Sequence, residues 1–119
     1  MGPWLDGIVL PMVERSGQLE TISWLISNLE VGAGMKKNAL DLIPIIETGK
    51  GMAMLDDIAS AKGGGRVRRM AFGAGDYTND LNIQWSLCED ELRDARARMV
   101  LQSRAHELEP PIDLSLIHI

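Results

Sequence analysis

The chain has 119 residues and forms one domain at most, and its 45% hydrophobic and 24% charged residues exclude the disordered and collagen-like classes. The formal net charge of -5 argues against a nucleic-acid-binding surface. No apolar run approaches the roughly 20 residues that cross a bilayer, and no signal peptide is recognisable. The single cysteine, Cys88, excludes an internal disulfide framework, so we expect a cytoplasmic protein.

The first predicted elements are a strand and a helix. Residues 7–13 are an apolar run that predicts a strand, and this run stops at Glu14. Ser16 is a suitable N-cap for the helix that follows. Helical spacing places five apolar residues on one face of this helix, which we expect to pack into the core: Leu19, Ile22, Leu25, Ile26 and Leu29.

The second strand is the clearest element of the sequence. Residues 42–46 are all apolar, and they end on Glu47 before two glycines turn the chain. Because apolar and polar side chains do not alternate in this run, it predicts a strand that is buried on both faces. Residues 52–61 are predicted to form an amphipathic helix, and the glycine-rich residues 62–65 are predicted to form a loop.

The remaining elements are a third strand, a helix and a fourth strand. Residues 67–72 run into the turn Gly73-Ala-Gly-Asp76, and residues 77–85 are predicted to be a loop. Ser86 and Glu89 match a capping box at the start of the last helix. Cys88 lies among acids there, whereas a reactive thiol needs an electropositive setting, so we expect no catalytic role for it. The fourth strand begins at residues 110–113.

Strands and helices therefore alternate, which predicts an α/β fold with parallel neighbouring strands and helices outside. The acids Glu14, Glu47 and Asp76 follow successive strands at intervals of 33 (47 minus 14) and 29 (76 minus 47) residues. Since the carboxyl ends of parallel strands meet at one edge, these carboxylates are expected to converge and to suit Mg²⁺ or Mn²⁺. The alternative is that each acid caps a helix or pairs with a lysine.

Several motifs resemble the HpcH/HpaI aldolase and citrate lyase beta subunit family, and the resemblance covers nearly the whole chain to Asp113. It is more specific for the family than for the substrate. The stretches that carry it are Gly7-Ile-Val-Leu-Pro-Met-Val-Glu14, Leu42-Ile-Pro-Ile-Ile-Glu-Thr-Gly-Lys-Gly51, Ala71-Phe-Gly-Ala-Gly-Asp-Tyr77, Asp80-Leu-Asn-Ile83 and Glu109-Pro-Pro-Ile-Asp113.

The resemblance implies that residues 1–113 are the central part of a (β/α)8 TIM barrel, with about four parallel strands and three crossover helices. It implies a magnesium-dependent carbon–carbon lyase, active on citryl-, malyl- or citramalyl-CoA or a similar hydroxy-acyl-CoA, whose parent enzyme is a homo-oligomer. Glu47 and Asp76 match the metal-binding acids, with Mn²⁺ as the alternative ion. Gly73, Ala74 and Gly75 would leave room for substrate.

The sequence also departs from the family pattern. The family commonly has Lys where Met12 stands. Glu14 matches the family's glutamate, but we do not assign it as a metal ligand, since a structural hydrogen bond suits it at least as well. The family's substrate-binding arginine would precede Met1, and its late acid would follow Ile119, so the catalytic residues are unknown. Residues 114–119 resemble a translated sequencing adapter, which gives His118 no role.

Two alternatives stay open. The chain could belong to a class II aldolase that acts on free 2-oxo acids, or it could be a catalytically silent half-barrel that needs a partner. In either case we expect the 119-residue chain to be inactive by itself.

Overall fold

A computed structural model describes residues 5–115. Its strands and helices, in chain order, are β1 (Gly7–Leu10), α1 (Ser16–Gly32), β2 (Asp41–Ile46), α2 (Gly49–Ala53), α3 (Leu55–Ala61), β3 (Ala71–Phe72), α4 (Ala74–Leu81), α5 (Arg93–Ala105) and β4 (Ile112–Asp113). Short 3₁₀ helices span Lys62–Gly65 and Asp90–Leu92. No helix in this described part of the chain is long and apolar enough to cross a membrane. The predicted tail continues into residues 116–119, including His118, which lie outside the described residues.

The four strands form one parallel sheet in the order β1-β2-β3-β4. Each strand therefore lies beside the next strand in sequence, which is the arrangement of a β/α barrel segment and confirms the predicted parallel α/β fold. The register aligns Ile45 with Ala71, and Ala71 with Ile112. The carboxyl ends of β2, β3 and β4 thus reach the same edge.

Helices cover only one face of this sheet. Leu42, Ile46 and Phe72 belong to the core on the helix side, whereas on the other face Val9 is 53% exposed and Ile112 is 38% exposed. Burial consequently alternates along β2, with Ile43 and Ile45 only half-buried. The prediction that this strand is buried on both faces was wrong, because no second layer covers the open face among residues 5–115.

The strands are shorter than the apolar runs. β1 ends at Leu10 rather than at Val13, because Pro11 has no N–H for the ladder and Met12 adopts a positive φ of 56°. The N–H of Val13 still donates to the carbonyl of Ile45 at 3.2 Å, so the chain stays close to β2. β3 is likewise restricted to Ala71–Phe72, and the predicted helix of residues 52–61 is divided at Met54 into α2 and α3.

The buried stripe of α1 differs from the predicted one. Leu19 and Ile26 are buried as expected, but Leu25 and Leu29 are 45% and 54% exposed. Ser23 and Glu30 take the remaining places in the stripe. These polar residues are buried because Arg66 reaches into the same interface, where its guanidinium donates to both Glu30 carboxylate oxygens at 2.7 Å. Polar members of a stripe are invisible to a search for apolar periodicity.

Residues 77–85 were predicted to be a loop, yet residues 74–81 form helix α4. The helix begins after Gly73 and ends where Asn82 adopts a left-handed conformation. It is stabilised internally by Thr78, whose hydroxyl lies 3.0 Å from the carbonyl of Ala74. The error follows from composition, since Gly, Asp, Asn and Thr are weak helix formers and typical of loops.

The predicted capping box is half correct. The N–H of Glu89 donates to the Ser86 hydroxyl at 3.2 Å, as a capping box requires. The reciprocal bond, however, is accepted by Glu91 from the N–H of Ser86. Helix α5 begins only at Arg93. Cys88 is therefore exposed in the segment before the helix rather than in its first turn.

Candidate functional site

The site is formed where β2 and β3 end. Glu47 follows β2 directly, and Asp76 lies in the first turn of α4, the helix that follows β3. Since β2 and β3 are parallel neighbours, their carboxyl ends bring these two acids together, as the spacing of the sequence predicted. Glu47 is 6% exposed, whereas Asp76 is exposed to solvent.

The carboxylate of Glu47 is held in an unfavourable electrostatic setting. Burial raises the pKa of Glu47 above its usual value, and Asp76 raises that pKa further, because its carboxylate accepts a hydrogen bond from protonated Glu47 and repels ionised Glu47. The N–H of Met12 donates to Glu47 Oε2 at 2.9 Å and partly offsets this effect. One carboxylate oxygen of Glu47 is therefore anchored to the segment that follows β1, while the side chain as a whole lies next to a second acid.

Gly73 makes room for this carboxylate. A Cβ at position 73 would lie 2.6 Å from Glu47 Oε1 and 2.9 Å from Glu47 Cβ, which no real side chain can do. Ala74, by contrast, is fully buried in the core, and Gly75 is exposed. The assignment of residues 73–75 to substrate binding stays a prediction, and the contact with Glu47 gives Gly73 a role of its own.

Glu14 lies at the same edge but has a different partner. Its Oε2 accepts a hydrogen bond from the Thr48 hydroxyl at 2.9 Å, which is the structural hydrogen bond considered for it from the sequence. A fourth acid, Asp80, was not anticipated, because the segment that carries it was assigned to a loop. Its Oδ2 accepts from the N–H of Gly49 at 2.8 Å. Its position four residues after Asp76 would have signalled a shared helix face.

The donor set of Glu47 and Asp76 fits a hard divalent cation. Among residues 5–115 no cluster of three or more His, Cys, Asp or Glu side chains could hold a metal ion. Mg²⁺, however, is commonly bound through one or two carboxylates together with waters and substrate oxygens. A cation between the two carboxylates would relieve the repulsion that raises the pKa of Glu47.

The alternative reading of these acids, as helix caps or partners of lysine, does not describe Glu47 and Asp76. Helix α2 is capped by Thr48, whose hydroxyl oxygen accepts from the N–H of Gly51 at 3.0 Å. The ion pairs formed between residues 5 and 115 involve neither Glu47 nor Asp76. Neither carboxylate is therefore neutralised by an ion pair with a basic residue of this part of the chain.

Comparison with known proteins gives consistent matches. A model of the HpcH/HpaI aldolase/citrate lyase family matches residues 2–112. The L-malyl-CoA/beta-methylmalyl-CoA lyase of Haloarcula marismortui is 32% identical over 81 residues, which are 68% of this chain and 23% of that protein.

Solved structures extend the match to the fold. RipC from Yersinia pestis aligns with a TM-score of 0.77 and 27% identity, over 96% of this chain and 46% of RipC. The citrate synthase SbnG aligns with a TM-score of 0.75 and 25% identity, over 92% of this chain and 47% of SbnG. The chain thus spans less than half the length of each of these relatives. The predicted fold, four parallel strands of a TIM-barrel-like α/β architecture, is confirmed.

Proposed function

Because the chain belongs to the HpcH/HpaI aldolase/citrate lyase family, we propose that it carries the magnesium site of a carbon–carbon lyase that cleaves a hydroxy-acyl-CoA. The observation that supports this proposal best is the pair of carboxylates, Glu47 and Asp76, that face each other at the carboxyl edge of the sheet. Mn²⁺ is the alternative ion. The similarity to the malyl-CoA lyase favours a thioester substrate.

Glu47 and Asp76 would hold the ion, and bound Mg²⁺ supplies Lewis-acid stabilisation of the negative charge that develops as the carbon–carbon bond breaks. Met12 contributes by fixing one oxygen of Glu47 through its N–H. Gly73 contributes by leaving space beside the other oxygen. Asp76 is exposed, so it faces the solvent from which a substrate arrives.

Metal binding is tested on the 119-residue chain by isothermal titration with MgCl₂ and MnCl₂. We expect Asp76→Asn and Glu47→Gln each to weaken binding by more than tenfold, because each removes one of the two carboxylates. Glu20→Gln is the matched control, since Glu20 is an exposed residue of α1, and it should bind as the wild type does. Unchanged affinity in Asp76→Asn would reject the metal assignment.

The chemistry is tested in an enzyme form that carries this segment within a complete barrel. There we expect Asp76→Asn to lower cleavage of malyl-CoA by at least 100-fold at limiting Mg²⁺, and we expect the 119-residue chain to be silent. The assay measures acyl-CoA cleavage as the rate at which acetyl-CoA is released. An Asp76→Asn enzyme with undiminished activity at limiting Mg²⁺ would contradict the proposal.

A second candidate is an aldolase that acts on free 2-oxo acids. It is supported by the matched family, HpcH/HpaI aldolase/citrate lyase, whose name includes aldolases as well as a lyase. A substrate panel that pairs each thioester with its free acid separates the two. Turnover of the thioesters alone supports the lyase, and turnover of the free acids with formation of pyruvate supports the aldolase.

A further inference from the structure

The segment that follows Glu47 is held on both sides by carboxylates of neighbouring elements. On one side Glu14, from the loop after β1, accepts the hydrogen bond of Thr48. On the other side Asp80, from α4, accepts the hydrogen bond of Gly49. These contacts join positions 34 and 31 residues apart in sequence, so they tie together three consecutive β/α units.

We propose that Glu14 and Asp80 are positioning residues that set Glu47 against Asp76 through these two hydrogen bonds, and that neither of them binds the metal. The inference rests on the proposed metal role of Glu47 and Asp76. It separates the four acids of this edge into two that hold the ion and two that hold the loop.

The hydrogen-bond pattern of Thr48 explains the role of Glu14. The Thr48 oxygen accepts from the N–H of Gly51, so its one proton is directed toward Glu14 Oε2. Glu14 is itself oriented by Gln18, whose Oε1 accepts from the N–H of Glu14 at 2.7 Å. The hydroxyl of Thr48 thus connects helix α2 to the loop after β1.

The position of Asp80 explains its coupling to Asp76. The two residues stand four apart in α4, which is about one helical turn. Because a helical turn is stiff, a bond that fixes Asp80 against Gly49 also fixes the distance of Asp76 from the chain that carries Glu47. Gly49 lies only two residues after Glu47, so this bond bridges the two acids of the site by a short route.

Alanine and amide substitutions distinguish positioning from metal binding. An amide oxygen can still accept a hydrogen bond from Thr48 or Gly49, but it is a poor substitute for a carboxylate ligand. We expect Glu14→Ala and Asp80→Ala to weaken Mn²⁺ binding by roughly tenfold, as outer-shell substitutions do. The Glu14→Gln and Asp80→Asn variants should bind Mn²⁺ with an affinity within roughly threefold of that of the wild type. Amide variants as weak as the alanine variants would overturn the inference.

Amide hydrogen exchange on the metal-free chain gives a readout that does not depend on the metal. Asp80→Ala should accelerate exchange of the Gly49 amide, while Asp80→Asn should not, and Leu40, whose amide bonds to Glu30 far from this edge, is the internal reference. Unchanged exchange at Gly49 in Asp80→Ala would overturn the positioning role. If the wild-type chain binds neither Mg²⁺ nor Mn²⁺, the proposed function fails, and the exchange experiment still decides whether Asp80 holds the loop.

Discussion

At the amino-terminal edge of the sheet, Glu30 meets Arg66 at 2.7 Å, whereas at the carboxyl edge Glu47 meets a second carboxylate, Asp76. Both glutamates are almost fully buried, at 1% and 6% exposure. Their pKa values nevertheless move in opposite directions. The Arg66 guanidinium lowers the pKa of Glu30 to about 2, while burial and the Asp76 carboxylate raise the pKa of Glu47.

The amino edge neutralises its buried acid with a base, whereas the carboxyl edge places its buried acid beside a second acid. At the amino edge every hydrogen-bonding group of Arg66 has a partner, because Ser23, Ser27 and the carbonyl of Leu40 complete the contacts that Glu30 begins. At the carboxyl edge the chain brings two carboxylates together, which costs free energy unless one of them takes up a proton or a cation binds. Such locally unfavourable arrangements are typical of functional sites in otherwise consistent folds.

The largest expected effect comes from removing Arg66, the partner of Glu30 at the amino-terminal edge of the sheet. Arg66→Met should lower the free energy of unfolding by about 3–5 kcal/mol, because it leaves the buried Glu30 carboxylate without a counter-charge. Urea denaturation followed by circular dichroism measures this change. Arg68→Met is the matched control, since Arg68 is 61% exposed and its ion pairs should contribute at most about 1 kcal/mol. Equal effects of the two substitutions would mean that the buried Glu30–Arg66 pair stabilises the fold no more than an exposed ion pair does.

The second-largest effect is expected from acid, which should weaken the Glu30–Arg66 pair at the amino-terminal edge. The pKa of Glu30 is lowered from 4.5 to about 2 on folding, so between these values the unfolded chain binds more protons than the folded chain. Stability from this residue is therefore complete above about pH 5 and is lost as the pH falls toward 2, by at most about 3 kcal/mol. Urea titrations at pH 6, 4 and 3 measure it. Glu30→Gln should show a flatter profile; a profile as steep as that of the wild type would assign the acid sensitivity to other carboxylates.

The smallest effect is expected at the carboxyl edge, and it has the opposite sign. Glu47→Gln should raise the stability of the metal-free chain by about 1 kcal/mol at pH 7, because it removes a buried charge and its repulsion with Asp76. Thermal unfolding measures the change. Mg²⁺ at 100 times its wild-type Kd should stabilise the wild type by about 2.7 kcal/mol and Glu47→Gln by less than about 1.4 kcal/mol, since the variant should bind more than tenfold more weakly. A destabilised Glu47→Gln chain would mean that the Glu47 carboxylate is structural.

The sequence predicted the positions of the strands better than the contacts of the buried charged residues. Apolar runs located β1 and β2, and the repeat of strand, helix and following acid located β3, β4, Glu47 and Asp76. Helix α4 and Asp80 were missed since its residues have low helix propensity. The pairing of Glu30 with Arg66 was missed for another reason: it joins positions 36 apart through space, and neither local pattern nor composition specifies such a contact.

The hydrogen bonds of Thr48 and Gly49 have a consequence for protein engineering. Each of these bonds crosses from one β/α unit to the next, so a loop grafted alone from another barrel would arrive without its acceptor and would leave a neighbour without its donor. Transplantation of this edge should therefore succeed only as one block that runs from Met12 to Asp80. Swaps of single loops, the usual way to diversify a barrel, would break the hydrogen bonds of Thr48 and Gly49 that hold Glu47 next to Asp76.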